Sequence, residues 1–149
     1  MTEALFYHLT EATLEEALPP LLEKSLERGW RVVVQVGSEE RRDALDQALW
    51  TWREESFLAH GFEHEPHAQH QPILLTCSEA NLNGAQIRFL VDGASPPDLA
   101  PYQRAVFMFD GHDEAQVAQA RLHWREVKAG GHDATYWQQT SGRGWEKKA

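Results

Sequence analysis

Apolar residues gather in five short runs, separated by polar or helix-spaced segments. The run at 4–9 (ALFYHL) predicts a strand. The run at 30–36 (WRVVVQV) is the clearest, because β-branched residues suit a pleated, buried surface. Runs at 73–77 (ILLTC), 86–91 (QIRFLV) and 104–109 (RAVFMF) predict three more, the last two stopped by Asp92-Gly93 and Asp110-Gly111. Between strands the apolar period changes. Leu14, Leu18, Leu21, Leu22 and Leu26 recur at helical spacing up to Gly29. Thr13 and Glu16 have the spacing of a capping box. Pro19 and Pro20 oppose a helix through that point, since each removes a hydrogen bond and clashes with the preceding turn. The pattern therefore predicts a helix from 18–20 to 28, after a short separate turn. A second helix is predicted over 39–49, with Ala44, Leu45, Ala48 and Leu49 on one side. A third covers 113–128 and stops at Gly130-Gly131. Residues 50–71 read as irregular, polar and His-rich, and 79–84 as a turn or short helical piece. Pro96, Pro97 and Pro101 mark a loop. The end, 132–149, holds Tyr136, Trp137 and Trp145 and is expected to be ordered only up to about 140.

Strands alternating with helices predict an α/β layer fold, a mostly parallel sheet of five or more strands flanked by helices. The 149 residues suit one domain spanning 1–149, with 140–149 as a flexible tail. Apolar residues make up 42%, which excludes wholesale disorder. The single Cys excludes an internal disulfide framework and points to a reducing, cytoplasmic setting. The first residues lack the basic start and apolar core of a signal peptide, and no run is long enough to cross a membrane.

Charge changes the picture more. The formal net charge is −9. Residues 120–149 carry six basic residues (Arg121, Arg125, Lys128, Arg143, Lys147, Lys148) and three acidic ones, net +3. The other 119 residues hold eight basic and twenty acidic ones, net −12. An acidic body argues against wrapping nucleic acid, which requires many cations. The basic end fits either a solvated helix terminus or a partner-binding face.

The turn after the strongest strand, 36–43 (VGSEERRD), has neither a phosphate-cradling G-x-x-x-x-G-K-[ST] nor G-x-G-x-x-G. Its glutamates would repel a phosphate at the following helix. Asp92 and Asp110 end strands, where catalytic carboxylates often sit, yet Asp-Gly is also an ordinary strand-ending turn. His60, His64, His67 and His70, with Glu63 and Glu65, form a candidate metal cluster, and residues 60–70 could serve a small metal-assisted hydrolase. The same segment lacks helical periodicity and reads as a solvated loop. No nucleophile elbow is present, and Cys77 fits a buried strand position.

The 113–128 helix offers a different chemistry. Arg121, Arg125 and Lys128 follow i, i+4, i+7 and share a face, with Val117 and Trp124 beside Arg121. Apolar side chains ringed by guanidinium groups suit an acidic peptide with a hydrophobic end, above all a terminal carboxylate. Val117 and Trp124 equally fit a reading as core residues with the cations solvated outside.

The chain resembles a known family, the chi subunit of bacterial DNA polymerase III. The resemblance is carried by FYHL (6–9), ALW and ESFLAHG (48–50, 55–61), QPILLT (71–76), FLVDGA (89–94), FDGHD (109–113) and ARLHWREVKAGGHDATYW (120–137). It implies a three-layer, Rossmann-like or P-loop-NTPase-like fold without a phosphate loop, no cofactor and no catalytic site. It also implies an accessory role in DNA replication. Its partners would be the psi subunit of the clamp loader and the acidic C-terminal tail of single-stranded-DNA-binding protein. DNA would be reached only indirectly, and the protein alone would be a monomer. The tail pocket falls on Arg121 and Arg125 as carboxylate partners and Trp124 as wall, with Val117 and Lys128 alongside. Arg125 stands where a Lys is familiar, and Val117 where another basic residue can occur. The psi contact falls on Trp50 and Phe57.

Overall fold

A computed structural model describes residues 2–51, 60–62, 67–142 and 144–149, with only the backbone of Trp50, Thr51 and Phe62. The strands are β1 (Glu3–Leu9), β2 (Val32–Val36), β3 (His60–Phe62), β4 (Ile73–Thr76), β5 (Ile87–Val91), β6 (Arg104–Asp110), β7 (Asp133–Gln139) and β8 (Trp145–Lys147). The helices are α1 (Leu14–Glu27), α2 (Glu39–Thr51) and α3 (Glu114–Ala129), with a 3-10 turn at Ala68–His70. The strands form one sheet in the order β3-β4-β2-β5-β6-β1-β7-β8. Neighbours are parallel except the antiparallel β7–β8 pair. The α/β layer architecture with a mostly parallel sheet is thus the one the patterning predicts.

Both faces of such a sheet must be covered, so its central strands are apolar throughout. All five residues of β2 and of β5 are buried. On one face, Leu18 and Leu22 of α1 and Leu45 and Leu49 of α2 pack with Val32, Val34, Ile73, Leu75, Phe89 and Val106. On the other, Ala120 and Val127 of α3 pack with Ala4, Phe6, Phe107 and Phe109, while loop residues Ala94, Leu99 and Tyr102 cover the rest. Arg88 pins those loops. Its fully buried guanidinium donates to Gln35 Oε1 (2.6 and 3.1 Å), Tyr102 Oη (2.9 Å), Ser78 O (2.6 Å) and Ala80 O (3.2 Å). A buried cation is tolerated because its donors are met by oriented acceptors.

Three expectations are corrected. First, α1 does not begin at 18–20 but runs from Leu14 through both prolines. Its capping box is formed: Glu16 N donates to Thr13 Oγ1 (3.3 Å) and Thr13 N to Glu16 Oε1 (3.1 Å). Burial of Leu18 and packing of Leu14 on the core hold the turn that precedes the prolines. Second, the stretch 50–71 is not wholly irregular, since β3 adds to the sheet edge beside β4 and a 3-10 turn follows. Third, the chain past Gly131 forms a hairpin. β7 lies parallel to β1, and β8 turns back on it with Thr140 N donating to Gly144 O (2.8 Å) and Lys148 N to Tyr136 O (2.8 Å).

Candidate functional site

α3 starts where Asp113 caps it, Oδ1 accepting from Ala115 N (3.0 Å) and Gln116 N (3.2 Å). Its inner stripe, Ala120, His123 and Val127, is buried. That fixes the helix rotation and turns Arg121 and Arg125 outward, both exposed, with Trp124 half-buried between the two environments. On the sheet below, β7 lies beside β1, and Phe6 faces Tyr136 in register. Residues with that parity point to α3, so Tyr136 comes up beneath the helix, and Lys148, the residue after β8, is tied to it by its N–H to Tyr136 O (2.8 Å).

These elements and the last two residues border an open pocket of about 340 Å³ lined by Arg121, Trp124, Arg125, Tyr136, Lys148 and Ala149. The walls are aromatic. Trp124 meets Phe6 edge-on at 5.3 Å and Tyr136 edge-on at 6.0 Å. Lys128 Nζ sits 5.3 Å from the Trp124 ring centroid, a cation–π distance that keeps this cation beside the cavity and not in its wall. Val117 packs on the core one turn earlier, also outside the lining. Of the residues singled out from the sequence, the structure brings Arg121, Trp124 and Arg125 together and leaves Val117 and Lys128 flanking them.

Local pattern does not assign Tyr136, Lys148 and Ala149 to this pocket. A signal was present: DATYWQQ is rich in Thr and aromatics, and the Ser-Gly-Arg-Gly turn before Trp145 is hairpin punctuation. His8 had no such signal. Its Nδ1 lies 2.6 Å from the Tyr136 hydroxyl, a contact between residues 128 apart in sequence. Burial depresses the His8 pKa, and Arg121 and His112 push it the same way, against Asp110. Burial raises the Tyr136 phenol, with Arg121 opposing. Both groups are therefore neutral near pH 7, and Arg121 sits close enough to influence both. Gly111 makes room for this arrangement, because a Cβ there would run into the His8 ring and stand 2.7 Å from Leu9 O.

The remaining candidates are placed differently. Trp50 closes α2, its side chain outside the described residues, as Phe57, Glu63, His64, Glu65 and Arg143 are entirely. His60 is buried with Nε2 2.9 Å from Asp46 Oδ1, whereas His67 and His70 are exposed. Among the described residues no three His, Cys, Asp or Glu side chains converge as a metal site. No helix among them is long and apolar enough to cross a membrane.

At the C-terminal ends of β1 and β6, where folds of this kind hold ligands, lies a crevice of about 280 Å³. Glu11, Glu15, Asp92 and Asp110 line it. Arg41 spans it, Nη2 2.6 Å from Glu15 and Nε 3.2 Å from Asp92. Burial raises the Asp92 carboxyl and Arg41 pulls it back down. Gly37, where a phosphate loop would begin, lies against the Asp92 carbonyl with no space for a Cβ. Carboxylates and an already engaged arginine make this crevice unsuited to a phosphate.

A sequence profile of the family described as "DNA polymerase III chi subunit, HolC" matches residues 1–135. A curated relative, the probable DNA polymerase III subunit chi of Rickettsia prowazekii (strain Madrid E), is 27% identical over 100 residues. That match covers 67% of this chain and 59% of the relative, so the chain spans about three fifths of that protein's length. With a profile match that extends from β1 into β7, the chain belongs to the DNA polymerase III chi subunit family, accessory subunits in replication.

Proposed function

We propose that this chain is a non-catalytic adaptor of the DNA polymerase III holoenzyme. It joins the clamp loader, through psi, to the acidic C-terminal tail of single-stranded-DNA-binding protein. The observation that carries the reading is the convergence of Arg121, Arg125 and Lys148 on a cavity walled by Trp124 and Tyr136. Guanidinium groups take a terminal carboxylate as a fork. The aromatic walls take the hydrophobic residue that bears it. The acidic residues before it run past Lys128, whose ammonium already lies over Trp124. On the psi side, the proposed aromatic anchor is Trp50 with Phe57.

Titration with a peptide copying the tail is the direct test. Binding in the range of about 1 μM to 100 μM, some −8 to −5 kcal/mol, is expected. Deleting the terminal hydrophobic residue should abolish it, as should Arg121→Glu with Arg125→Glu. Unchanged affinity in that double variant would refute the site. For psi, co-purification should be lost on Trp50→Ala with Phe57→Ala while tail-peptide binding persists.

A further inference from the structure

The sheet face opposite α3 holds a second cavity that the adaptor reading does not use. It lies between the C-terminal half of α1 and strands β1, β5 and β6, with an open volume of about 210 Å³. Its floor is apolar: Leu5, Ile87, Phe89 and Val106. Tyr7 forms a side wall and is braced edge-on by Trp145 of β8 at 4.9 Å. Lys24, Arg28 and Arg104 stand on the rim. Leu5 and Tyr7 alternate with Phe6 and His8 along β1, so this cavity and the α3 cavity open on opposite faces of the sheet.

We propose that this cleft is a second docking site, for an acidic segment of a partner protein that inserts one aliphatic or aromatic side chain. Charge complementarity selects the occupant. Lys24 and Arg28, with Arg104 already paired to Glu3, gather at one apolar cleft in a chain whose net charge is −9. Glu3, beside them, has its Oε1 2.7 Å from Arg104 Nε, and among the described residues no carboxylate lines the cleft. The rim is also pre-organised. Two guanidinium groups lie over the Trp30 ring, Arg28 at 5.2 Å and Arg104 at 5.3 Å from its centroid. That stacking fixes both arginines near the mouth and lowers the entropy they would lose on pairing with a carboxylate. It also decides against single-stranded nucleic acid, which binds by stacking bases on free aromatic faces. Here the Trp30 ring is taken by arginine and Tyr7 is capped by Trp145.

The probe is an acetylated, amidated ten-residue peptide rich in Asp with one central Phe. It has no terminal carboxylate and so does not favour the α3 cavity. Titrated into the full chain and followed by amide NMR shifts, it should perturb Leu5, Tyr7, Ser25 and Phe89. Lys24→Glu with Arg28→Glu, both at exposed positions, should weaken it at least about tenfold, because like charges then face each other. Lys24→Gln with Arg28→Gln should give an intermediate loss, and Arg121→Glu with Arg125→Glu should leave it unchanged. Shifts confined to α3, an affinity insensitive to Lys24 and Arg28, or no binding at millimolar peptide would each overturn the proposal. So would a ten-nucleotide oligothymidylate that occupies this cleft in preference to the peptide. None of these outcomes depends on the tail peptide binding elsewhere.

Discussion

His8 and His123 show how single residues tie the site to stability. Both carry depressed pKa values, burial being the main cause; for His8 Arg121 adds to it, and for His123 Glu126 opposes it. The sign follows directly. Each folded-state pKa lies below the ordinary value near 6.5, so between the two values the unfolded chain binds more protons. The stabilisation is complete above about pH 6.5 and is lost as pH falls below it. Replacing both residues with Gln should therefore shrink the drop in melting temperature between about pH 7.5 and pH 5.5. Parallel melting curves for the variant and the natural chain would contradict this. His8 could not have been singled out from the sequence, because nothing near it announces Tyr136. Arg121 and Arg125 could, because helical spacing alone puts them on one face.

At the scale of elements, the β7–β8 hairpin completes the candidate cavity. Backbone pairing brings Lys148 opposite Tyr136, and Trp145 packs on Tyr7 across the sheet. Removing residues 141–149 should weaken the tail peptide several-fold while sparing most of the core, since α1, α2 and α3 contact other strands. Full affinity in the truncated chain would place the ligand wholly on α3. Strands of β-branched residues and helices with 3.6-residue periodicity were readable from local pattern, and their bounds agree within a residue or two for β1, β2 and β4 to β6. The start of α1 departs from the pattern because proline rules describe the isolated backbone. In the folded chain, buried Leu18 and the tie from Glu15 to Arg41 hold the first turn in place. β3 carries no local signal for another reason: a three-residue edge strand forms because β4 offers it a neighbour.

For the whole molecule, charge distribution sets how it meets partners. The acidic body and basic end predict tail-peptide binding that weakens as salt rises, with little change in melting temperature. Salt damps attraction between exposed charges, most strongly beyond about 10 Å at 0.1 M, and barely reaches the packed sheet. Affinity constant between 0.05 and 0.5 M salt would mean the cations of α3 are not the contact. The strand-end crevice points the same way, its carboxylates and engaged Arg41 leaving binding to the helix and sheet faces.

Local covalent pattern by itself determined the layered α/β architecture, the lack of a phosphate loop, and the cationic face of α3, because periodicity and turn chemistry act over a few residues. The tertiary structure alone decided which strand lies beside which. By placing β7 against β1 it set Tyr136, Lys148 and His8 around that face, and by stacking Arg28 and Arg104 on Trp30 it built the second cleft. Those arrangements join residues up to 128 positions apart. They come from burying both faces of one sheet, a constraint that no short stretch of sequence carries.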